Sequence, residues 1–299
     1  MQHEVVGVGH ATVDTLGVVG GYPSMDTKTE LVQFSMQGGG PVATALATLA
    51  VLGESTAFIG KISDDDFGVF IRQGLQELGV DTTGLLVEPG RVSPYSFVAV
   101  EQGSGRRTIF WTRGDVSPLV EAELPLALLQ GARVLHVDGL QMAAQCCAAR
   151  KARELGVKVV YDAGSPREGM EELIGMTDAL VASEHFAAEV AGGGLAESLK
   201  RLSARGPETV VITIGEDGSV GMERGETYAV PALDVDVVDT TGAGDVYHGA
   251  FIFGMLRGWN LPERMRFAST AASLSCRELG GRAGLPSLEA IQTAMDGLG

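Results

Sequence analysis

The chain has 299 residues, of which 45% are hydrophobic and 20% charged, the balance of an ordinary water-soluble globular protein. A formal net charge of −16 repels phosphate backbones and anionic lipid, so we expect neither nucleic acid nor membrane partners. Three cysteines without regular spacing argue against a disulfide framework or a zinc site. The N-terminal stretch does not have the pattern of a signal peptide, and we expect a cytoplasmic protein.

Predicted strands and helices alternate along most of the chain. Short apolar, β-branched runs predict strands at residues 4–9, 57–62, 133–137, 157–161, 179–181 and 210–214. Helical patterns lie between most of these runs, at residues 41–52, 67–78, 142–155 and 195–204. This alternation predicts a parallel sheet covered by helices on both faces, in a single domain over residues 1–299.

Two segments break the alternation. Residues 29–36 alternate polar and apolar side chains, as a half-exposed strand does, and residues 94–112 read as two strands joined by Gly-Ser-Gly at 103–105. We interpret them as a small separate sheet that projects from the main body. A sheet with one apolar face must cover something, which predicts a substrate, a second subunit or both beneath it.

A late glycine-rich segment, DTTGAGD at residues 239–245, leads directly into an apolar run. The first N–H groups of a helix have no intrahelical partner, and glycines let a phosphate approach them closely. We therefore expect the backbone of Gly242, Ala243 and Gly244 to hold phosphoryl oxygens. Asp245 would stand beside them, kept ionised by the positive helix end, and accept a proton from the incoming hydroxyl. The alternative for Asp245 is an aspartate that only caps the helix. His248, three residues later on a neighbouring helix face, is predicted to pack rather than to take part in catalysis.

Two other segments favour binding of a polyhydroxylated ligand. In QGGGPVATALA, residues 37–47, three glycines precede a proline that opens a helix, and Thr44 offers a hydroxyl. The alternative for this segment is a tight strand-to-helix turn. Asp14 follows the first strand, at the edge where ligands bind in open α/β sheets, and a carboxylate there suits a bidentate grip on sugar hydroxyls. The alternative for Asp14 is a loop or cap residue.

The two glycine motifs together resemble a known family. DTTGAGDVYHGAF looks like the C-terminal signature of the ribokinase-like (PfkB-type) carbohydrate kinases, and QGGGPVATALATLAVLG resembles their N-terminal signature. The resemblance covers essentially the whole chain. It implies an α/β fold of three layers, α/β/α, with a mostly parallel central sheet, and it implies that the projecting small sheet is a lid formed by segments at about 15–36 and 91–113. The lid of this family often clasps a second subunit, which implies a homodimer.

The resemblance also implies roles for individual residues. Asp245 would be the catalytic base and 242–244 the anion hole. The residues implied to bind sugar hydroxyls are Asp14, Gly39, Gly40 and Asp138. The strand and turn on the nucleotide side would contain Thr213, Gly215 and Gly218. A monovalent cation, K⁺, would be held near Asp239 and Thr241.

The chain departs from the family pattern at several positions. Thr44 stands where the first signature usually has asparagine, which bears on the identity of the sugar. The Asn-x-x-Glu stretch tied to Mg²⁺ falls at 183–186, which begins with Ser183 and lacks the terminal glutamate. The runs GGGPVATA and GGRAGLP resemble the branch that includes bacterial sulfofructose kinases, and Lys28 of the lid could meet an anionic sugar substituent. Trp111 and Gly139 replace the expected sulfonate contacts, so we do not infer a sulfosugar.

These motifs predict an ATP-dependent carbohydrate kinase. It would transfer the γ-phosphoryl group, with Mg²⁺ on the phosphates, to a primary hydroxyl of a small ribose- or fructose-like sugar. A nucleoside kinase is the first alternative, because Phe97, Phe110 and Trp111 of the lid could form an aromatic slot for a base. A sugar-binding regulator that has lost catalysis is the second.

Overall fold

The computed structural model describes residues 2–103 and 106–297. Their strands are β1 (Val5–Val8), β2 (Thr12–Val19), β3 (Gln33–Gly39), β4 (Thr56–Ser63), β5 (Asp81–Glu88), β6 (Tyr95–Glu101), β7 (Arg107–Thr112), β8 (Val134–Val137), β9 (Lys158–Ala163), β10 (Ala179–Ser183), β11 (Thr209–Thr213), β12 (Ser219–Glu223) and β13 (Glu226–Val230). Their α-helices are α1 (Pro41–Val51), α2 (Asp66–Glu77), α3 (Met142–Glu154), α4 (Met170–Ile174), α5 (Glu184–Val190), α6 (Leu195–Ser203), α7 (Ala243–Leu256), α8 (Leu261–Ser275) and α9 (Leu288–Asp296).

A large sheet forms the centre of the fold, in the strand order β13-β12-β11-β10-β9-β8-β1-β4-β5. The strands from β11 through β5 pair in parallel, and β12 and β13 add antiparallel pairs at one edge. All four residues of β1 and all four of β8 are buried, as expected for strands covered on both faces. The predicted parallel sheet is confirmed, whereas the antiparallel edge was not anticipated.

Helices cover the two faces of this sheet with separate apolar clusters. On one face α1, α7 and α8 pack over the sheet through side chains such as Leu46, Phe251 and Phe267. On the other face α3 and α6 do the same through Ala148 and Leu199. The result is the predicted three-layer arrangement. No helix within the described ranges combines the length and apolar character that a bilayer crossing requires.

The second sheet, which we call the lid sheet, has the strand order β3-β2-β6-β7. Its strand β3 begins only at Gln33, so the prediction of a strand from residue 29 was wrong for residues 29–32. Strand β2 was not predicted as an element, although its residues 15–19 fall within the lid segment predicted at 15–36. The connection predicted between β6 and β7 includes residues 104 and 105, which lie outside the described residues.

The register of the lid sheet separates its two faces. Gln37, Asp14, Ser96 and Trp111 are directly paired across the four strands and share one face. Leu16, Val18, Val98 and Val100 of the same face pack against Leu279, so this inner face is the one turned to the main body. The neighbouring row contains Met36, Thr15, Phe97 and Phe110 and belongs to the outer face.

Candidate active site

Asp245 lies in the first turn of α7, directly after the glycine-rich loop. The helix is capped by Gly242, whose φ of 76° favours glycine and whose added Cβ would lie 2.6 Å from the Cα of Gly281. A side chain at Gly242 would therefore collide with the loop that follows α8. Both the backbone conformation and the close neighbour therefore require glycine at position 242. At Gly244, by contrast, an added Cβ would meet nothing within 4 Å.

The backbone N–H groups at this helix start fit an anion, with one exception. Within the described chain, Gly242 and Gly244 donate to no protein oxygen, as expected at a helix N-terminus. Ala243 instead donates to the carbonyl of Thr240 at 3.3 Å. Of the three predicted donors, two thus have no protein acceptor within the described chain, and the third already has a long hydrogen bond.

The surroundings of Asp245 shift its pKa in the direction opposite to the effect expected from the helix end. Burial raises the pKa of Asp245 well above the ordinary aspartate value, and the carboxylates of Asp162 and Asp14 raise it further. The guanidinium of Arg282 opposes these effects without cancelling them. Burial and the neighbouring carboxylates therefore oppose the effect of the helix dipole on this pKa. A raised pKa makes the carboxylate a stronger proton acceptor, which suits a general base.

Asp14 lies on the inner face of the lid sheet and points toward the same region. Its Oδ1 accepts a hydrogen bond of 2.7 Å from the hydroxyl of Ser96. Burial raises the pKa of Asp14, while Ser96 and Arg282 act in the opposite direction. A Cβ added at Gly39 would lie 1.9 Å from Oδ2 of Asp14, so the glycine leaves the space that this carboxylate occupies.

Arg282 is a site residue that the sequence reasoning missed. Its Nη2 donates to the carbonyl of Gly39 at 2.9 Å, and its Nε donates to Oγ1 of Thr44 at 3.2 Å. Burial lowers the pKa of Arg282 to about 10, and Asp14 and Asp245 counteract that shift. The guanidinium thus interacts electrostatically with both carboxylates and offsets part of their mutual repulsion. The available signal was the pair of glycines just before it, in the break between α8 and α9.

Thr44 and Asp138, which the sequence also predicted to bind the sugar, are buried and already have protein hydrogen-bond partners. Thr44 is 1% exposed, and its hydroxyl already bonds to Arg282, so its contact with a sugar stays a prediction. Asp138 is 6% exposed and accepts hydrogen bonds from the backbone of His10 and Leu140 and from the side chain of Gln145. Asp138 therefore joins the segment after β1 to the loop after β8, and its contact with a sugar stays a prediction.

Gly40 and Lys28 are the two remaining residues that the sequence predicted to bind the sugar. Gly40 precedes α1 and has a φ of 96°, and a Cβ there would lie 2.3 Å from the carbonyl oxygen of His10. Lys28 is exposed in the segment between β2 and β3, and it forms no salt bridge within the described ranges. Its role in binding a sugar substituent stays a prediction.

A cavity of about 920 Å³ lies next to the first residues of α7. It is lined by the predicted nucleotide-side residues Thr213, Gly215 and Gly218, together with Ala243 and Gly244. The turn needs glycine at position 218, because φ is 92° and a Cβ would lie 2.1 Å from the carbonyl oxygen of Val230. The structure therefore brings the predicted nucleotide residues and two of the three predicted anion-hole residues to one cavity.

Asp239 and Thr241 form a closed arrangement just before the helix. Oδ1 of Asp239 accepts hydrogen bonds from the backbone and the hydroxyl of Thr241, at 3.0 and 2.9 Å. Oδ2 accepts one from the backbone of Gly280 at 2.9 Å. These contacts hold the glycine-rich loop against the segment after α8. Their part in holding a monovalent cation stays a prediction.

The segment predicted for Mg²⁺ has a different local role. Ser183 caps α5 by accepting from the backbone of Phe186 at 3.0 Å and donates to the carbonyl of Gly164. Phe186, at the position of the missing glutamate, is fully buried. The described residues contain no group of three or more His, Cys, Asp or Glu side chains arranged to hold a metal ion. A magnesium ion bound mainly through nucleotide phosphates needs few protein ligands, and its position here stays a prediction.

His248 packs beneath the helix start, as the sequence predicted, and it has polar partners there. Its Nδ1 lies 2.6 Å from the carbonyl oxygen of Gly244, and its Nε2 lies 3.2 Å from that of Val181 and 3.5 Å from Oδ1 of Asp162. Both nitrogens face oxygen acceptors. His248 thereby ties the anion-hole backbone to strands β9 and β10, and Asp162 is a second site residue that sequence reasoning missed.

Comparison with known proteins identifies the class of this site. A family model described as pfkB family carbohydrate kinase matches residues 2–288. The chain belongs to this family, as the two glycine motifs predicted, and it is a phosphotransferase that acts on a sugar hydroxyl.

Particular relatives are similar over nearly the whole chain. A 5-dehydro-2-deoxygluconokinase of Shouchella clausii is 29% identical, over 99% of this chain and 96% of its own length. A nucleoside kinase of Methanothermobacter thermautotrophicus is 26% identical, over 95% and 92%. Among solved structures, a candidate ribokinase from Agrobacterium tumefaciens superposes with a TM-score of 0.93 at 27% identity, over 100% of this chain and 99% of its own.

Proposed function

We propose that the enzyme transfers the γ-phosphoryl group of ATP to a primary hydroxyl of a small sugar, with Asp245 as the general base. The observation that carries this proposal is the position of Asp245. It stands at the helix start that lines the nucleotide cavity, and its carboxylate interacts electrostatically with Asp14 on the inner face of the lid sheet. The base thus lies between the two places where the substrates would bind.

The chemical step follows from that placement. The acceptor hydroxyl gives its proton to the Asp245 carboxylate, its oxygen forms a bond to the γ-phosphorus, and the bond to the ADP oxygen breaks. The open N–H groups of Gly242 and Gly244 would hold the transferring oxygens. Asp14, with Gly39 and Gly40 beside it, would orient the other hydroxyls of the sugar. Asp138 and Thr44 would support this wall.

ATP would occupy the 920 Å³ cavity, against Thr213, Gly215 and Gly218. Magnesium would bind chiefly through the phosphates, with exposed Glu184 as the carboxylate that remains from the 183–186 stretch. The ion would supply neutralisation of phosphate charge. K⁺ near Asp239 and Thr241 would neutralise further charge at the same loop. A kinase that uses ATP and Mg²⁺ supports the expected cytoplasmic location.

The outer face of the lid sheet supports a homodimer. Phe34 and Phe110 are 61% and 59% exposed, and Met36 and Phe97 continue the same apolar face. A contiguous apolar face of this kind is characteristic of an interaction surface. A second copy of the chain would cover it with the same row of side chains.

A nucleoside is the second candidate acceptor, favoured by Trp111. This ring lies on the inner face in the same row as Asp14, and it is 59% exposed. The expectation that Phe97, Phe110 and Trp111 form one aromatic slot was wrong, because Phe97 and Phe110 belong to the outer face.

Arg113 stacks over Trp111 with its guanidinium carbon 5.4 Å from the ring centroid, which brings a positive charge to this end of the lid. An acceptor with an acidic group would also gain from that charge.

The experiment is a coupled assay of ADP release with ATP and Mg²⁺. Its acceptors are a pentose, a ketohexose, a sugar acid such as a deoxygluconate, and a nucleoside. Turnover highest with a neutral sugar or a sugar acid supports the sugar kinase, and turnover highest with the nucleoside supports the alternative. No turnover with any acceptor, in a protein whose melting temperature rises with sugar, would contradict the proposal and support a binding protein without catalysis.

A further inference from the structure

Arg107 is the side chain through which the lid sheet reaches the nucleotide cavity. It lies on β7 opposite Val100, which pairs with Val18, so it belongs to the same inner face as Asp14. Its guanidinium donates to the hydroxyl of Thr240, two residues before Gly242. The other described residues that line the cavity all lie between positions 213 and 276. The lid sheet therefore contributes Asp14 to the proposed acceptor side and Arg107 to the lining of the cavity.

The charge of the cavity lining gives this contact its significance. Glu216 and Asp234 contribute carboxylates to the lining, and Arg107 is its one Lys or Arg among the described residues. The whole chain has a net charge of −16. A triphosphate carries several negative charges, and phosphoryl transfer depends on neutralising them. Besides the helix start and a metal ion, Arg107 is the local source of positive charge in this lining.

We propose that Arg107 is a catalytic residue that exchanges the Thr240 hydroxyl for the phosphoryl oxygens of bound ATP. This inference rests on the proposed kinase function of the site. The planar guanidinium suits two parallel hydrogen bonds to phosphate oxygens. Arg107 neither gains nor loses a proton in the reaction, because the acceptor proton goes to Asp245 and ADP leaves with the electron pair of the broken bond.

The lid sheet would then link acceptor binding to phosphate neutralisation. Asp14 and Arg107 are held by the same hydrogen-bonded strands, one at the acceptor and the other at the nucleotide. An acceptor that draws Asp14 into place also sets Arg107 against the phosphates. Water lacks the contacts with Asp14, so it would not complete this arrangement.

The test compares kcat, KM for ATP and acceptor Kd in four variants, with the best acceptor from the screen. Arg107→Gln should lower kcat by about 10- to 140-fold, the loss of one charge-assisted hydrogen bond in the transition state. Arg107→Lys keeps the charge without the planar fork and should restore part of that loss. The acceptor Kd, measured without nucleotide, should stay within about twofold of the wild-type value in both variants.

Two controls separate catalysis from a structural latch. Arg106→Gln removes the same charge one residue earlier and should leave kcat within about twofold of wild type. Thr240→Val removes the hydroxyl that Arg107 contacts and should cost far less than Arg107→Gln. Equal losses in Thr240→Val and Arg107→Gln would show a latch and overturn the inference. Wild-type kcat in Arg107→Gln would overturn it alone, whereas an inactive wild-type enzyme would overturn the proposed function with it.

Discussion

Replacing Gly39 with alanine should displace the Asp14 carboxylate and weaken acceptor use while the protein stays folded. The new Cβ would lie 1.9 Å from Oδ2 and 2.5 Å from Cγ of Asp14, so the carboxylate has to rotate away. Rotation breaks the 2.7 Å hydrogen bond with Ser96 and removes the carboxylate from the acceptor. Gly39 has no positive φ, so alanine brings no backbone strain of its own.

The size of the effect follows from the hydrogen bond between Asp14 and the sugar. A hydrogen bond to a charged group contributes about 1.5–3 kcal/mol, and about 1.4 kcal/mol corresponds to a factor of ten. We therefore expect kcat/KM for the acceptor to fall by about 10- to 140-fold, with KM for ATP within about twofold of the wild-type value.

Steady-state kinetics with the acceptor varied, and then with ATP varied, provides the measurement. Gly20→Ala is the matched control, because Gly20 follows the same strand as Asp14 and a Cβ there meets nothing within 4 Å. Wild-type kcat/KM in Gly39→Ala would refute the placement of the acceptor against Asp14. An equal fall in both variants would show that the effect is not specific to that contact.

Three further predictions concern charge and assembly. Asp162→Asn should move the acid limb of the kcat/KM profile to lower pH and Arg282→Gln should move it to higher pH, because these groups respectively raise and lower the pKa of Asp245; limbs that move in the same direction would contradict this. Asp245→Asn should raise Tm at neutral pH, since the folded-state pKa of Asp245 lies above the unfolded value and its ionisation there costs folding free energy. In calorimetry that gain should vanish as the pH falls below the unfolded pKa, and a gain that persists in acid would have another origin. Phe110→Asp should give a monomer by light scattering, and a wild-type protein that is itself monomeric would rule out the dimer.

The parts of the fold that depend on local pattern could be predicted from the sequence. Apolar runs such as that of β4 and the helical period of α3 depend on burial within a few consecutive residues, so a short window contains the signal. Strand β2 was missed because its pairing partners, β3 and β6, lie far along the chain. The antiparallel edge formed by β12 and β13 was missed because the spacing of apolar residues does not show whether neighbouring strands run parallel or antiparallel.

The candidate site shows the same division. Asp245 and its glycines are contiguous, so their chemistry could be read from the motif. Arg282 meets Gly39 across 243 positions, and Asp162 meets His248 across 86, so no local pattern indicates either contact. The upward shift of the Asp245 pKa was not anticipated, because the helix end is visible in the sequence, whereas the surrounding carboxylates are brought together only by the fold.

The central claim is that Asp245 takes the acceptor proton during phosphoryl transfer. The most direct measurement is kcat of Asp245→Asn under saturating ATP and sugar, alongside binding of each substrate to the variant. We predict that both substrates still bind while kcat falls by about 10²- to 10⁴-fold, the contribution of a positioned base. A variant that binds both and turns over at the wild-type rate would contradict the account.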